Sequence, residues 1–288
     1  MNHQAPSPIF VSHGSPMTAL EPREAGAFMQ RLGPAIEAAF GRPKAVLAVS
    51  AHTLARAPVL LAAPRHEAVY DFGGFDDRLY TLRYDAPGAP ALATQVEALL
   101  GQAGIDVHRA EQGGLDHGIW TPLRYMWPAA DVPVLPLAFV PSWSPRQLFD
   151  FGAALVPLAA MGVLVMGSGS ITHNLQRVFA GGLRDVERVA TPESTAFRDW
   201  FSQRAAAADW DALLDYRRQA PHAVLMHPTD EHLLPLYVAA GAAGPVPGLR
   251  LHASLTYGEL GMDAYAFGAQ AAALQQALSR DTTARGGR

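Results

Sequence analysis

The sequence predicts an α/β fold: a single domain with a central, mostly parallel sheet flanked by helices and a ligand site at the carboxyl ends of its strands. Three observations carry this. Short runs rich in Val, Ile and Leu alternate with longer, alanine-rich amphipathic segments. The runs are apolar at consecutive positions, as in strands covered on both faces. Three of them lead into a histidine beside small residues. No internal repeat and no Gly/Ser linker divides the chain, so the domain is expected over residues 1–279, with a flexible, polar tail over 280–288.

Taken in order, the run ending in PIFVS gives a strand at Ile9–Ser12, and the amphipathic stretch after it a helix at Arg23–Phe40. AVLAVS gives a second buried strand at Ala45–Ser50, and Pro58–Ala62 a third. The segment Ala63–Ala89 is long for a loop and contains DFGGF and three tyrosines, so it is either a functional lid or holds a further strand. Helices are expected at Pro90–Gln102 and Ile119–Met126, a strand at Val132–Val140, a helix at Pro145–Met161 and a strand at Gly162–Gly167. Four more amphipathic stretches read as helices: Pro192–Ala208, Asp211–Tyr216, Thr229–Ala240 and Met262–Ser279, with a strand at Leu249–Leu255 among them.

Composition narrows the function. With 288 residues, 49% apolar and a mean hydropathy of +0.06, the chain is long enough to bury a core without disulfide or metal. Any metal it holds therefore serves chemistry. The net charge of -4 lacks the basic footprint of a nucleic-acid binder. No apolar run approaches the roughly 20 residues that span a bilayer, and the first ten residues lack a secretory pattern, which points to the cytoplasm. Zero cysteines exclude disulfides, thiolate metal sites and cysteine nucleophiles, leaving imidazole and carboxylate as the strong metal ligands.

The histidines carry the main signal. His13 follows the first strand, His52 the second, and His173 lies just beyond a later one. Ligands bind outside the carboxyl ends of strands in open α/β sheets, so imidazoles delivered there converge although far apart in sequence. The small residues around them, Gly14-Ser15, Ser50-Ala51 and the GSGS of Gly167–Ser170, allow close approach. In MHPTDEHLLPLYV, Thr229 suits an N-cap, Asp230 and Glu231 suit the positive helix end, and His232 falls in the first turn. Glu231 and His232 are both able to bind metal, and spacing alone does not choose between them. In GGLDHGIW, Asp116 beside His117 can fix its tautomer for substrate binding or proton transfer, or simply cap a helix. His3, His66, His108, His222 and His252 have no comparable setting and read as structural or solvent-facing.

The motifs FVSHGSPM, VSAHT, YDFGGF, DHGIWTPL, GSGSITHNL and PTDEHLLPLYVAAGA, in this order, span nearly the whole chain. Together they resemble the class III extradiol ring-cleavage dioxygenases, in the branch of DOPA 4,5-dioxygenase-like proteins. That resemblance implies one divalent non-haem metal, Fe(II) for activity, with Zn(II) able to take the same site. It implies His13 and His52 as the first two ligands and His232 as the third, where the broader class uses a glutamate. His173 then resembles the acid/base histidine beside the metal, and His117 a substrate-contacting one. Two departures stand out: Asp230 replaces the proline of the branch's PTPEH, and Asp76 follows DFGGF where relatives commonly have proline.

These residue types fit extradiol cleavage of a small catechol by O2. A three-ligand face leaves positions open for both reactants, and a nearby imidazole moves the proton. All-neutral ligands weaken electron donation to oxygen, which keeps a zinc-dependent hydrolase as an alternative reading; a non-catalytic binding protein on the same scaffold is another. The chain lacks HExxH and a G-x-S-x-G elbow. Tyr70, Phe72, Phe75, Trp120 and Trp143 are candidates for a flat aromatic pocket, and Arg78, Arg83 or Arg124 for a partner to a substrate carboxylate.

Overall fold

The computed structural model describes residues 5–286, so His3 and residues 287–288 of the expected tail lie outside it. The chain runs through β1 (Ile9–Ser12), α1 (Arg23–Phe40), β2 (Ala45–Ser50) and β3 (Val59–Leu61). A short pair follows, β4 (Arg65–His66) and β5 (Ala86–Pro87), with a 3-10 turn at Asp77–Thr81 between them. Next come α2 (Pro90–Gln102), β6 (His108–Ala110), α3 (His117–Met126), β7 (Val134–Ala138), α4 (Pro145–Ala153), α5 (Pro157–Ala160) and β8 (Val163–Gly169). Six helices succeed one another: α6 (Leu175–Ala180), α7 (Pro192–Ala206), α8 (Trp210–Leu214), α9 (Tyr216–Gln219), α10 (Ala223–Met226) and α11 (Leu234–Gly241). The last elements are β9 (Gly248–His252), β10 (Leu255–Thr256), β11 (Leu260–Gly261), β12 (Ala264–Phe267) and α12 (Ala271–Gly286).

Eight strands form the central sheet in the order β6-β3-β7-β2-β8-β1-β12-β9. Its middle, β7-β2-β8-β1, is parallel, so β1, β2 and β8 end at one edge of the sheet. Successive residues of each strand feed opposite cores. Val46 and Ala48 pack with Phe28, Leu32 and Ile36 of α1 and Ile119 of α3, whereas Leu47 and Val49 pack with Phe149 of α4 and Leu236 of α11. Burying each large side chain contributes about 1.5–3 kcal/mol, against the entropy of ordering it. No helix among the described residues is long and apolar enough to cross a membrane.

Several boundaries differ from the sequence expectations, and proline accounts for two. The helix expected over 145–161 breaks, with Pro157 opening α5. The one expected over 229–240 starts only at Leu234, with Pro235 in its first turn, because proline is tolerated there and not deeper. Thr229 is therefore no N-cap, and His232 sits in the turn before the helix. The helix expected over 262–279 contains instead the buried strand β12, antiparallel to β1 and β9, before α12 begins. α12 runs to Gly286, past the Ser279 boundary and into the expected tail. The expected strand 249–255 divides into β9 and β10, and the long 63–89 segment holds β4 and β5.

Candidate functional site

Because β1, β2 and β8 are parallel, the residues that leave them meet at one edge of the sheet. His13 follows Ser12 directly, and its backbone N–H donates to the carbonyl of Gly169 at the end of β8. His52 stands two residues beyond β2. The turn before α11 brings His232 against the end of β8, where Ser170 N–H donates to its carbonyl at 2.8 Å. That approach requires glycine at 169: a Cβ there would lie 1.9 Å from the His232 carbonyl oxygen. His13, His52 and His232 each bring one ligand atom within 4.8 Å of the others. His117 and His173 flank them, His117 packed 4.1 Å from His52 and His173 stacked on His232, both measured between ring centroids.

Hydrogen bonds fix the tautomers of His13 and His232, and a facing carboxylate favours the same tautomer in His52. Ser168 Oγ donates its single hydrogen to the Gly118 carbonyl, so it accepts from His13 Nδ1 at 3.0 Å. His232 Nδ1 donates to Glu231 Oε1 at 3.0 Å, and His52 Nδ1 faces Asp71 Oδ2 at 3.3 Å. In His13 and His232 Nδ1 thus carries the proton and Nε2 keeps its lone pair, and the Asp71 carboxylate favours the same form of His52. His13 Nε2 and His52 Nε2 lie 3.2 Å apart, and two lone pairs at that separation repel unless a cation lies between them. The donor set therefore fits a divalent metal. It also fits the charge balance, because the carboxylates of Asp71 and Glu231 stand behind His52 and His232.

Electrostatics follow from burial and crowding. Burial, then the neighbouring imidazoles, lowers His13 well below the usual histidine range. The same causes lower His52 to about 3. Burial and His232 lower His173 to about 2, so it is neutral across the physiological range rather than poised near neutrality. Glu231 falls to about 2, mainly through its hydrogen bond to His232. Burial alone would raise Asp71, but its hydrogen bonds from His117 hold it below the usual carboxylate value.

The carboxylate that orients His117 is Asp71 and not its neighbour Asp116. Asp71 Oδ1 accepts from the His117 backbone N–H at 2.9 Å and from Nδ1 at 3.0 Å. Asp116 is buried, caps α3 through Ile119 N–H and accepts from Ser50 and Thr53 hydroxyls. Asp71 sits in YDFGGF, which sequence reading picked out as a loop without assigning its carboxylate a role. The proximity of β2 and α3 to that loop exists only in space.

The histidines floor a cavity of about 760 Å³. Phe72 and Phe75 line it, while Tyr70 and Trp120 back Phe72 without reaching the opening. Trp143 packs on Phe151, away from the site. Arg78, Arg83 and Arg124 are also absent from the lining: Arg78 pairs with Asp76, and Arg124 donates to the Ala19 carbonyl. Asp76, in the place of the expected proline, caps the 3-10 turn through Arg78 N–H. His66 is buried on the Gly113 carbonyl, and His252 stacks on Phe28. Both agree with a structural reading.

Residues 7–268 match the family described as the catalytic LigB subunit of aromatic ring-opening dioxygenase. The chain is 36% identical over 238 residues to the protein named 4,5-DOPA dioxygenase extradiol from Beta vulgaris, covering 82% of this chain and 86% of that one. It is 34% identical to the protein of the same name from Portulaca grandiflora, over 90% and 94% of the two chains. A crystal structure of an uncharacterized protein from Escherichia coli K12 aligns with a TM-score of 0.71 at 28% identity, over 90% of this chain and 98% of that one. The chain belongs to the LigB family of class III extradiol dioxygenases, in the branch of the proteins named 4,5-DOPA dioxygenase extradiol, and is a non-haem extradiol ring-opening dioxygenase.

Proposed function

We propose that the chain opens the ring of a small, DOPA-like or related catechol by extradiol cleavage with O2, using one divalent metal held by His13, His52 and His232. The observation that carries this is the set of three imidazoles that each bring a ligand atom within 4.8 Å of the others, the Nδ1 of His13 and of His232 hydrogen-bonded to an oxygen and that of His52 facing the Asp71 carboxylate. The bound metal, ferrous iron for turnover with zinc able to occupy the same donors, supplies the Lewis-acid and redox chemistry that couples catechol to dioxygen.

The protein groups do the rest. His173 is neutral in the free pocket, the proton-accepting form. A phenolate developing beside it raises its proton affinity, so it takes a hydroxyl proton on binding and returns one as the ring opens. His117, locked by Asp71 through both Nδ1 and its backbone N–H, presents Nε2 to the substrate oxygens and holds the ring's orientation. Phe72 stands edge-on to His117 at 5.6 Å and walls the ring from water.

Anaerobic reconstitution with ferrous iron, then aeration with a panel of catechols, tests the reading. A yellow semialdehyde product with stoichiometric oxygen uptake is expected. An iron-loaded protein that consumes no oxygen with any catechol, while its zinc form hydrolyses an ester or amide, transfers the assignment to a hydrolase.

A further inference from the structure

We propose, on the catechol-cleaving reading above and choosing a related catechol over DOPA itself, that the substrate's ring substituent is an uncharged apolar arm of several carbons, held between α6 and the Phe72–Phe75 loop. Two walls run outward from the histidines. On one side, His117, Phe72 and Phe75 form a ladder of edge-to-face rings, with centroid separations of 5.6 and 5.7 Å. On the other, α6 begins two residues after His173, its start fixed by the Asn174 side chain accepting from Arg177 N–H. Its Leu175, Val178 and Phe179 have the i, i+3, i+4 spacing of one helix face, and all three line the cavity, joined by Leu183.

Exposure makes this a wall that awaits an occupant. Phe179 is 60% exposed, Leu183 52%, Leu175 42% and Phe75 38%, and all four border the same cavity. Apolar side chains gathered in this way mark a binding surface, and covering them is worth roughly 25 cal/mol per Å². A catechol ring seated at the histidines directs its substituent along one of these walls. The side chains of these walls offer an ammonium or carboxylate no hydrogen-bond partner of their own. Of the two guanidinium groups that line the cavity, Arg23 is already paired with Glu21 and Glu187. Arg184 forms no ion pair among the described residues, but it stands exposed on the rim, where solvent keeps it hydrated.

The experiment is calorimetric titration of the anaerobic ferrous protein with catechol, 4-ethylcatechol, 4-propylcatechol, 4-butylcatechol, dihydroxyphenylpropanoate and DOPA, followed by aeration. The dissociation constant is expected to fall about two- to fourfold per added methylene, the range set by burial of a CH₂ group. Propylcatechol is expected to bind more tightly than either the propanoate or DOPA. In a Phe179→Ala, Leu183→Ala protein the ratio of butylcatechol to catechol affinity should drop by about tenfold; both side chains are exposed, and Phe179→Ala alone gives the same readout should the double variant fail to fold. If catechol binds and is cleaved but the alkyl series gains nothing, or the propanoate or DOPA outbinds propylcatechol, the apolar arm is overturned while ring cleavage stands. If catechol neither binds nor is cleaved, ring cleavage falls and the arm with it.

Discussion

The imidazole of His173 lies flat on that of His232, with ring centroids 3.5 Å apart and planes 9° from parallel. Stacking places His173 beside the proposed ligand set, and on the proposed reading coordination falls to the other three. His173→Ala should therefore keep most of its metal and lose roughly 10²- to 10⁴-fold in turnover, the effect of removing a general acid/base. His13→Ala should lose the metal. Elemental analysis and turnover number on the same preparations check both, and a metal-free His173→Ala protein would make that histidine a fourth ligand.

Glu231 acts through His232, accepting its Nδ1 proton. Glu231→Ala should weaken metal affinity by about 10- to 100-fold, the usual effect of losing a carboxylate behind a ligating histidine. Glu231→Gln, which keeps an acceptor oxygen, should recover part of that loss. Chelator competition measures it; equal affinity in all three proteins would show that Glu231 does not orient its neighbour.

Asp71 is shared by His52 and His117. Its replacement by Asn removes the negative charge and one of the two acceptors, so kcat/KM should fall by about 10- to 100-fold with the fold intact. Steady-state kinetics beside a melting curve separate the effects. A variant with parental kcat/KM would release His117 from its proposed role.

His227 sets a pH dependence independent of metal. It is fully buried, Nε2 on the Ile171 carbonyl at 2.7 Å and Nδ1 without a partner, and burial lowers it to about 4. The unfolded chain titrates near 6.5, so between about 4 and 6.5 it holds the extra proton. Stability is then full above about 6.5 and is lost as pH falls toward 4, by on the order of 3 kcal/mol for this group. Urea midpoints across that window, for the parent and for His227→Gln, should show a shallower slope in the variant. Identical slopes would mean His227 stays neutral in neither state or both.

Much of this was legible before any coordinates. His13, His52 and His173 stand out because apolar runs of strand length precede them, and parallel strands deliver their ends to one edge. His232 was legible as a candidate, but its helix was placed too early because Pro235 sets the start and the acidic Asp230-Glu231 pair imitates one. Asp230 in fact accepts from the Tyr216 hydroxyl and pairs with Arg217. β12 escaped notice because Ala-Tyr-Ala-Phe runs into an alanine-rich helix, and only its antiparallel neighbours make it a strand. β6 escaped too, as an edge strand of His108, Arg109 and Ala110 with no apolar pattern. Asp71 has no periodic context at all; its meaning arises when the loop folds over His117.

The seating of β1 between β8 and β12 reaches beyond the finished enzyme. A ribosome makes His13 well before either neighbour of its strand, the nearer of which, β8, follows roughly 150 residues later. At about 5–20 residues per second, β1 waits on the order of ten seconds or more with its apolar face unpaired. His232 comes later still, so no nascent fragment short of it can gather all three imidazoles. On the proposed ligand set the metal therefore binds only after His232 has been made, and expression conditions that slow elongation lengthen the interval in which β1 is exposed to chaperones and to aggregation.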